Sequence, residues 1–297
     1  MPRTADDTCL LCKVNKATKT NSHIVPKFMS SGFLGEKSNK KGYILSSTKE
    51  GKQIVQDSPK EDYILCPDCE EYFSVLEGLV ADSIKSIHPN DPKAQVPQVG
   101  AITLANLSPT LVHLFFYSIF WRASVSVLPV FQNYKLSEEL EESLRAELMK
   151  FRATNKKELE DKIEKESITN LFPYGVFTTN QYSDDTKNLI IAIGTSPMYS
   201  FVADKFAFVI YDNIDQIPED RQSLFNTSPN TQNIQVIPPN VWEDVMIKEN
   251  LRLIADIRKR INKRQQQLQS LAKKLSELTP KESQELQKIL KEEYGQE

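Results

Sequence analysis

The spacing of hydrophobic positions changes along this chain, and each change marks an element. Phe73, Leu76, Val80 and Ile84 recur at intervals of three and four, which predicts one buried face of an amphipathic helix. That helix ends before His88-Pro89-Asn90-Asp91-Pro92, where prolines and an Asn-Asp pair stop it. Residues 108–128 predict a strongly apolar helix, with Ser108 as N-cap and Pro109 at the first helical position. Residues 136–165 are rich in Glu, Lys and Leu and continue the helical pattern, with Ser137 as a cap. Then the character changes. Residues 174–179, 189–193 and 206–211 are β-branched and aromatic runs that predict strands, with 234–237 as a fourth. Upstream, Tyr43-Ile44-Leu45 and Gln53-Ile54-Val55 predict a short hairpin.

The last part of the chain returns to helix. Ile247, Ile254, Ile257, Ile261, Leu268, Leu271, Leu275 and Leu278 fall mostly on a and d positions of a heptad, interrupted by Asn250 and Arg264. Thr279-Pro280-Lys281-Glu282 restarts a helix through a capping box. The expected architecture is therefore α+β: an N-terminal domain over residues 1–90, an α+β domain over 98–245 with a helical middle and an antiparallel strand region, and a tail of long helices over 246–297. The tail offers a surface for self-association or for a partner protein.

Composition adds limits. The 297 residues are 39% hydrophobic and 26% charged, as in a globular chain with a real core, and the net charge is only −3. The whole molecule is thus no electrostatic magnet for nucleic acid. The first residues are polar and lack the apolar core of a secretion signal. The most apolar stretch, residues 111–130, contains His113, Arg122, Pro129 and three serines, so no membrane span is expected. A cytoplasmic, reducing setting follows as an expectation and leaves thiols available for metal.

All four cysteines stand in two pairs, Cys9-Leu10-Leu11-Cys12 and Cys66-Pro67-Asp68-Cys69. Two such knuckles can supply four thiolates to one tetrahedral Zn²⁺. A redox CxxC would need a single motif at a strand-to-helix junction of a βαβ unit, and two pairs with no spare cysteine fit that poorly. Four thiolates close a structural site and leave no open position for substrate. The gap between the pairs leaves room for a hairpin, with the second knuckle opening the helix.

Between the pairs lies Ser22-His23-Ile24-Val25-Pro26-Lys27-Phe28. Together with the first knuckle and Leu65-Cys66-Pro67-Asp68-Cys69-Glu70, this run resembles the HNH (ββα-metal) endonucleases built on a treble clef. It is closer still to a group of uncharacterised bacterial proteins with a Ser-His-Ile-x-Pro-x-Phe signature, in which a Gln-Asp pair (here Gln56-Asp57) and a Trp-Arg helix (here Trp121-Arg122) recur. The resemblance covers residues 9–88 well and 110–125 weakly. It implies hydrolysis of phosphodiester bonds in DNA, with His23 as general base and a catalytic Mg²⁺ or Mn²⁺ held by Asp57, Glu70 or Glu77, beside a structural Zn²⁺ on Cys9, Cys12, Cys66 and Cys69. A role in bacterial defence against foreign DNA is implied only by analogy. The pattern departs at Ser22, where the family usually has Asp or His. A degenerate site would leave a zinc-bearing adaptor for nucleic acid or protein, with a helical assembly tail.

Local charge agrees with either reading. From Lys13 to Lys52 nine lysines stand against two glutamates, and from Asp57 to Glu71 six acids stand against one lysine. Lysines on phosphates beside carboxylates on an ion is what a metal nuclease would present, and a solvated polar loop would look the same. Arg122, in an apolar helix, needs a partner and is expected to clamp the domains through a carboxylate of the first. His113 is expected as a core residue.

Overall fold

In the computed structural model of this protein, helix α2 (Pro109–Val125) is buried on every side from Leu111 to Ser124. The structure describes residues 3–30, 42–45, 53–55, 58–87, 96–183 and 189–276. A helix that is apolar all round belongs in the middle of a core, and α2 is covered on two faces. One face packs on a sheet: Phe116 and Phe120 meet Tyr174 and Phe208 at ring separations of 5.5–6.4 Å. The other meets α1 (Pro67–Ser86), where Phe73 lies 6.1 Å from Trp121. Phe28 stacks on Phe115 beside it.

The amphipathic stripe expected on α1 is present: Phe73, Leu76, Val80 and Ile84 are all buried. The helix starts at Pro67, inside the second knuckle, because Pro at the first position loses no needed N–H. Residues 136–165 form two helices rather than one, α3 (Glu138–Lys150) and α4 (Lys156–Lys165). Ser137 caps α3 by accepting from the Leu140 N–H, as expected, and Asn155 caps α4 through Glu158. Ser108 precedes α2 as expected, but its hydroxyl makes no cap bond.

Among the described residues the sheet has eight strands: β2 (Gly42–Leu45), β3 (Gln53–Val55), β5 (Gly100–Thr103), β6 (Tyr174–Thr178), β7 (Leu189–Thr195), β8 (Met198–Ala203), β9 (Phe206–Tyr211) and β10 (Asn233–Val236). Their order is β3-β2-β7-β8-β9-β6-β10-β5. The centre is antiparallel, while β2 joins β7, and β10 joins β6, in parallel. β8 and β5 are additions to the strands read from the sequence. The expected hairpin of β2 and β3 forms, but it is an extension of the large sheet. A second, two-stranded sheet pairs β1 (Ser22–His23) with β4 (Lys60–Glu61), with His23 opposite Lys60.

The protein is thus α+β. It divides into one unit over Met1–Arg252 and a second over Leu253–Glu297. The regions read from the sequence as domains 1–90 and 98–245 lie together in the first unit, joined by the sheet and by α2. A short helix α5 (Pro239–Val241) and a π-helical turn (Trp242–Lys248) lead into α6 (Glu249–Ser276). In the second unit Leu268 and Leu271 of α6 are exposed. Leu278 and the helix expected after Thr279 lie outside the described residues, so the heptad reading is carried only to residue 276. No helix is long and apolar enough to cross a membrane among the described residues.

His113 lies in the core, as expected, between the rings of Tyr117 and Tyr174. Among the described residues neither ring nitrogen makes a well-formed hydrogen bond. Burial holds its pKa down to about 4, and the approaching backbone of Pro229 and Ser228 offsets only part of that. A His with a depressed folded pKa gives stability that is present above the unfolded value, about 6.5, and is lost as pH falls toward the folded one. The loss from this residue is up to about 3 kcal/mol. In urea denaturation between pH 7 and pH 4, His113→Phe should gain on the wild type by an amount of that order as the pH falls. A constant difference across the range would refute the assignment.

Candidate functional site

The first knuckle is the tip of a small hairpin. The Cys9 N–H donates to the Asn15 carbonyl at 2.8 Å, and the Ala17 N–H to that of Asp7 at 2.8 Å. The Lys13 N–H closes the turn on the Cys9 carbonyl at 2.9 Å, with Lys13 in the left-handed region at φ 54°. The second knuckle opens α1. Between them, residues 19–24 run antiparallel to 59–65: the Lys19 N–H donates to the Leu65 carbonyl, that of Tyr63 to Lys19, and that of Ile24 to Pro59. The first knuckle is tied on as well, through the Leu10 N–H and the Ile64 carbonyl at 2.9 Å.

This folding brings Cys9, Cys12, Cys66 and Cys69 together. Their sulfurs all lie within 4.8 Å of one another, all four residues are buried, and none forms a disulfide. Four sulfurs at Zn–S distances of about 2.3 Å would stand about 3.8 Å apart in a tetrahedron, and Cys12 Sγ lies 3.8 Å from Cys66 Sγ. The donor set therefore fits a metal ion such as zinc. The Cys69 side chain holds Cys9 down to about 5, while the Cys9 anion, with burial adding, pushes Cys69 well above the usual thiol range. Burial also raises Cys66. Crowded thiols that cannot all ionise together are what a divalent cation would relieve. Polar groups already attend the sulfurs. The Asn15 backbone N–H lies 3.5 Å from Cys12 Sγ, and its Nδ2 lies 3.8 Å from Cys66 Sγ.

His23 sits on the strand that leads to this clamp. Its Nδ1 is 2.5 Å from Ser58 Oγ, and its backbone carbonyl accepts from Arg122 at 2.7 Å. The neighbouring Ser22 hydroxyl donates to Glu70 at 2.7 Å. Glu77, one heptad along α1, is bonded to Arg122 at 2.7 Å. Burial raises its carboxyl pKa, Arg122 opposes that, and Glu70 adds to it, so the two carboxylates are close enough to repel. Glu71 points to solvent. Glu70 and Glu77 thus lie where β1 meets α1 and α2, bonded to Ser22 and Arg122, while His23 joins them only through its backbone carbonyl and its ring is bonded to Ser58. Asp57 lies outside the described residues. Among the described residues, the four cysteines form the only group of three or more His, Cys, Asp or Glu side chains close enough to share an ion.

Arg122 is the clamp expected for it, and it does more than pair with one carboxylate. Its Nε donates to the Ser118 carbonyl at 3.1 Å, its NH2 to Ser118 Oγ at 3.2 Å, and its guanidinium lies 5.0 Å from the Phe73 ring centroid. Ser58 was missed by sequence reasoning. It lies 35 positions from His23, and no periodicity or motif marks such a pair. Contacts of the clamp with the helical layer were missed too. Arg145 donates to the Leu11 carbonyl at 2.7 Å, Lys13 pairs with Glu142 at 2.7 Å, and Arg152 pairs with Asp68 at 2.9 Å.

Fold and site together define an α+β protein with a four-cysteine clamp able to hold a metal ion such as zinc. Comparison with protein-family models, curated proteins and solved structures finds no match.

The clamp should bind about one zinc ion per chain. Cys69→Ser, measured by metal analysis of the purified chain, should lose it, and chelation of the wild type should lower its melting temperature. Arg122→Ala should cost about 3 kcal/mol in urea denaturation, since it leaves Glu77 without its counter-ion. The double variant Arg122→Met, Glu77→Gln should lose clearly less. Equal losses would mean that the ion pair is not what the arginine supplies.

Proposed function

We propose that this protein is a metal-dependent HNH-like endonuclease, with a zinc-stabilised treble-clef module carrying His23 as the general base for hydrolysis of DNA. The observation that supports this most is the His23–Ser58 contact. It holds an imidazole through Nδ1, on a strand anchored to the cysteine clamp, next to the Ser22 that bonds Glu70. A histidine needs no special tuning to accept a proton near neutral pH. A divalent ion such as Mg²⁺ or Mn²⁺ would stabilise charge on the scissile phosphate and the leaving oxygen. Glu70 and Asp57 are the carboxylates assigned to it. Glu77 is the third, with one oxygen bonded to Arg122, which also holds the His23 carbonyl. Lysines of the N-terminal region would contact phosphates without reading sequence. Cytoplasmic location and use against foreign DNA belong to the same reading.

A second reading is favoured by the engagement of both carboxylates, Glu70 by Ser22 and Glu77 by Arg122. In it the module is a zinc-bearing adaptor for nucleic acid or protein, and α6 with the residues after it serves assembly.

Nicking of supercoiled DNA by the full chain with Mn²⁺ or Mg²⁺ separates the two. His23→Ala should lower the rate by about 100-fold or more while zinc content and melting temperature hold. Nicking by His23→Ala at the wild-type rate would remove His23 from the base role. A wild type that binds DNA and never nicks it would leave the adaptor.

A further inference from the structure

The cysteine clamp raises a question of charge. Four thiolates on a divalent cation leave a net charge of −2, and here all four cysteines are buried. A buried anionic centre needs compensation by hydrogen-bond donors or cations close by. Two guanidinium groups approach it from the helical layer. Arg145 is already satisfied: Glu142 accepts from its Nε and NH2 at 2.8 and 2.6 Å, and the Leu11 carbonyl accepts from its NH1.

Arg152 differs. It follows α3, and its own carbonyl accepts from Lys162 of α4, which fixes the backbone. Its NH2 donates to Asp68, the residue between Cys66 and Cys69, and Asp68 lies 3.4 Å from Asn15 Nδ2. Asn15 in turn reaches Cys12 and Cys66. Yet, among the described residues, the buried Arg152 Nε–H has no hydrogen-bond partner. An orphaned charged donor is costly unless the local field is negative. Burial works against the Arg152 charge, and the neighbouring Cys69, Asp68, Cys66 and Cys12 favour it.

We propose that Arg152 is the counter-charge of the four-cysteine metal centre, so that retention of the ion depends on the helical layer as well as on the knuckles. Asp68 is then the hinge between them, holding the guanidinium at the second knuckle. The inference rests on the clamp holding a metal ion, and it is independent of whether His23 is catalytic.

The test uses the full chain loaded with zinc and follows release of the ion to a chromogenic chelator. Arg152→Ala should release zinc about tenfold faster than wild type. Arg152→Lys, which keeps the charge and loses the fork, should fall between them. Lys156→Ala, which removes an exposed cation paired with Glu160 at 3.6 Å, should match the wild type. Should circular dichroism show that Arg152→Ala is misfolded, Arg152→Gln carries the same expectation with less lost packing. Release at the wild-type rate from a folded charge-removing variant overturns the proposal. So does equal acceleration by Lys156→Ala, which would make the effect one of general charge. A wild-type chain that takes up no zinc overturns the clamp reading itself, and is told apart by metal analysis before any variant is made.

Discussion

The convergence of four thiols on one point is the constraint on which the rest of the N-terminal region depends. The β1–β4 sheet has only two residue pairs, and a ladder that short contributes little stability by itself. What holds residues 19–24 against 59–65 is that the second strand runs straight into Cys66, whose knuckle is bound to the first. Once the sulfurs meet, the start of α1 is fixed by Cys66 and Cys69, and its apolar stripe is aimed at α2. The position of His23 therefore follows from the cysteines, although it is not near them in sequence.

Electrostatics then decides what the junction can do. Buried charge is tolerated only when paired. Arg122 meets that demand by joining Glu77, the His23 carbonyl and Ser118, so that a single guanidinium ties β1, α1 and α2 together. The same bond engages one oxygen of Glu77. Arg145 and Arg152 dock the clamp on the helical layer, and the two arginines differ in whether their donors are satisfied among the described residues. A region that the sequence suggests as a separate small domain is in this way continuous with the rest, through ion pairs, through α2, and through the β2–β3 extension of the large sheet.

Much of the local structure was legible because it rests on short-range chemistry. The stripe of α1, the cap at Ser137, the knuckles, and the strands at 174–178, 189–195 and 206–211 all come from patterns a few residues long. Misses arose where local signal was weak or competed with other signals. β8 carries exposed Met198 and half-buried Ser200 between apolar neighbours. β5 is largely exposed and owes its existence to pairing with β10. The break between α3 and α4 falls at residues 151–155, inside a run whose composition favours helix throughout.

The sequence by itself determined the pairing of the cysteines, the apolar helix that must lie in the core, and the need of Arg122 for a carboxylate. Each follows from the chemistry of a side chain that water or burial will not tolerate alone. Tertiary structure decided which carboxylate Arg122 takes, that Ser58 meets His23, that Arg152 reaches Asp68 within the second knuckle, and that β2 pairs with β7 far along the chain. Those outcomes depend on distances between segments that share no period and no motif. They are settled only when the clamp and α2 have brought those segments into contact.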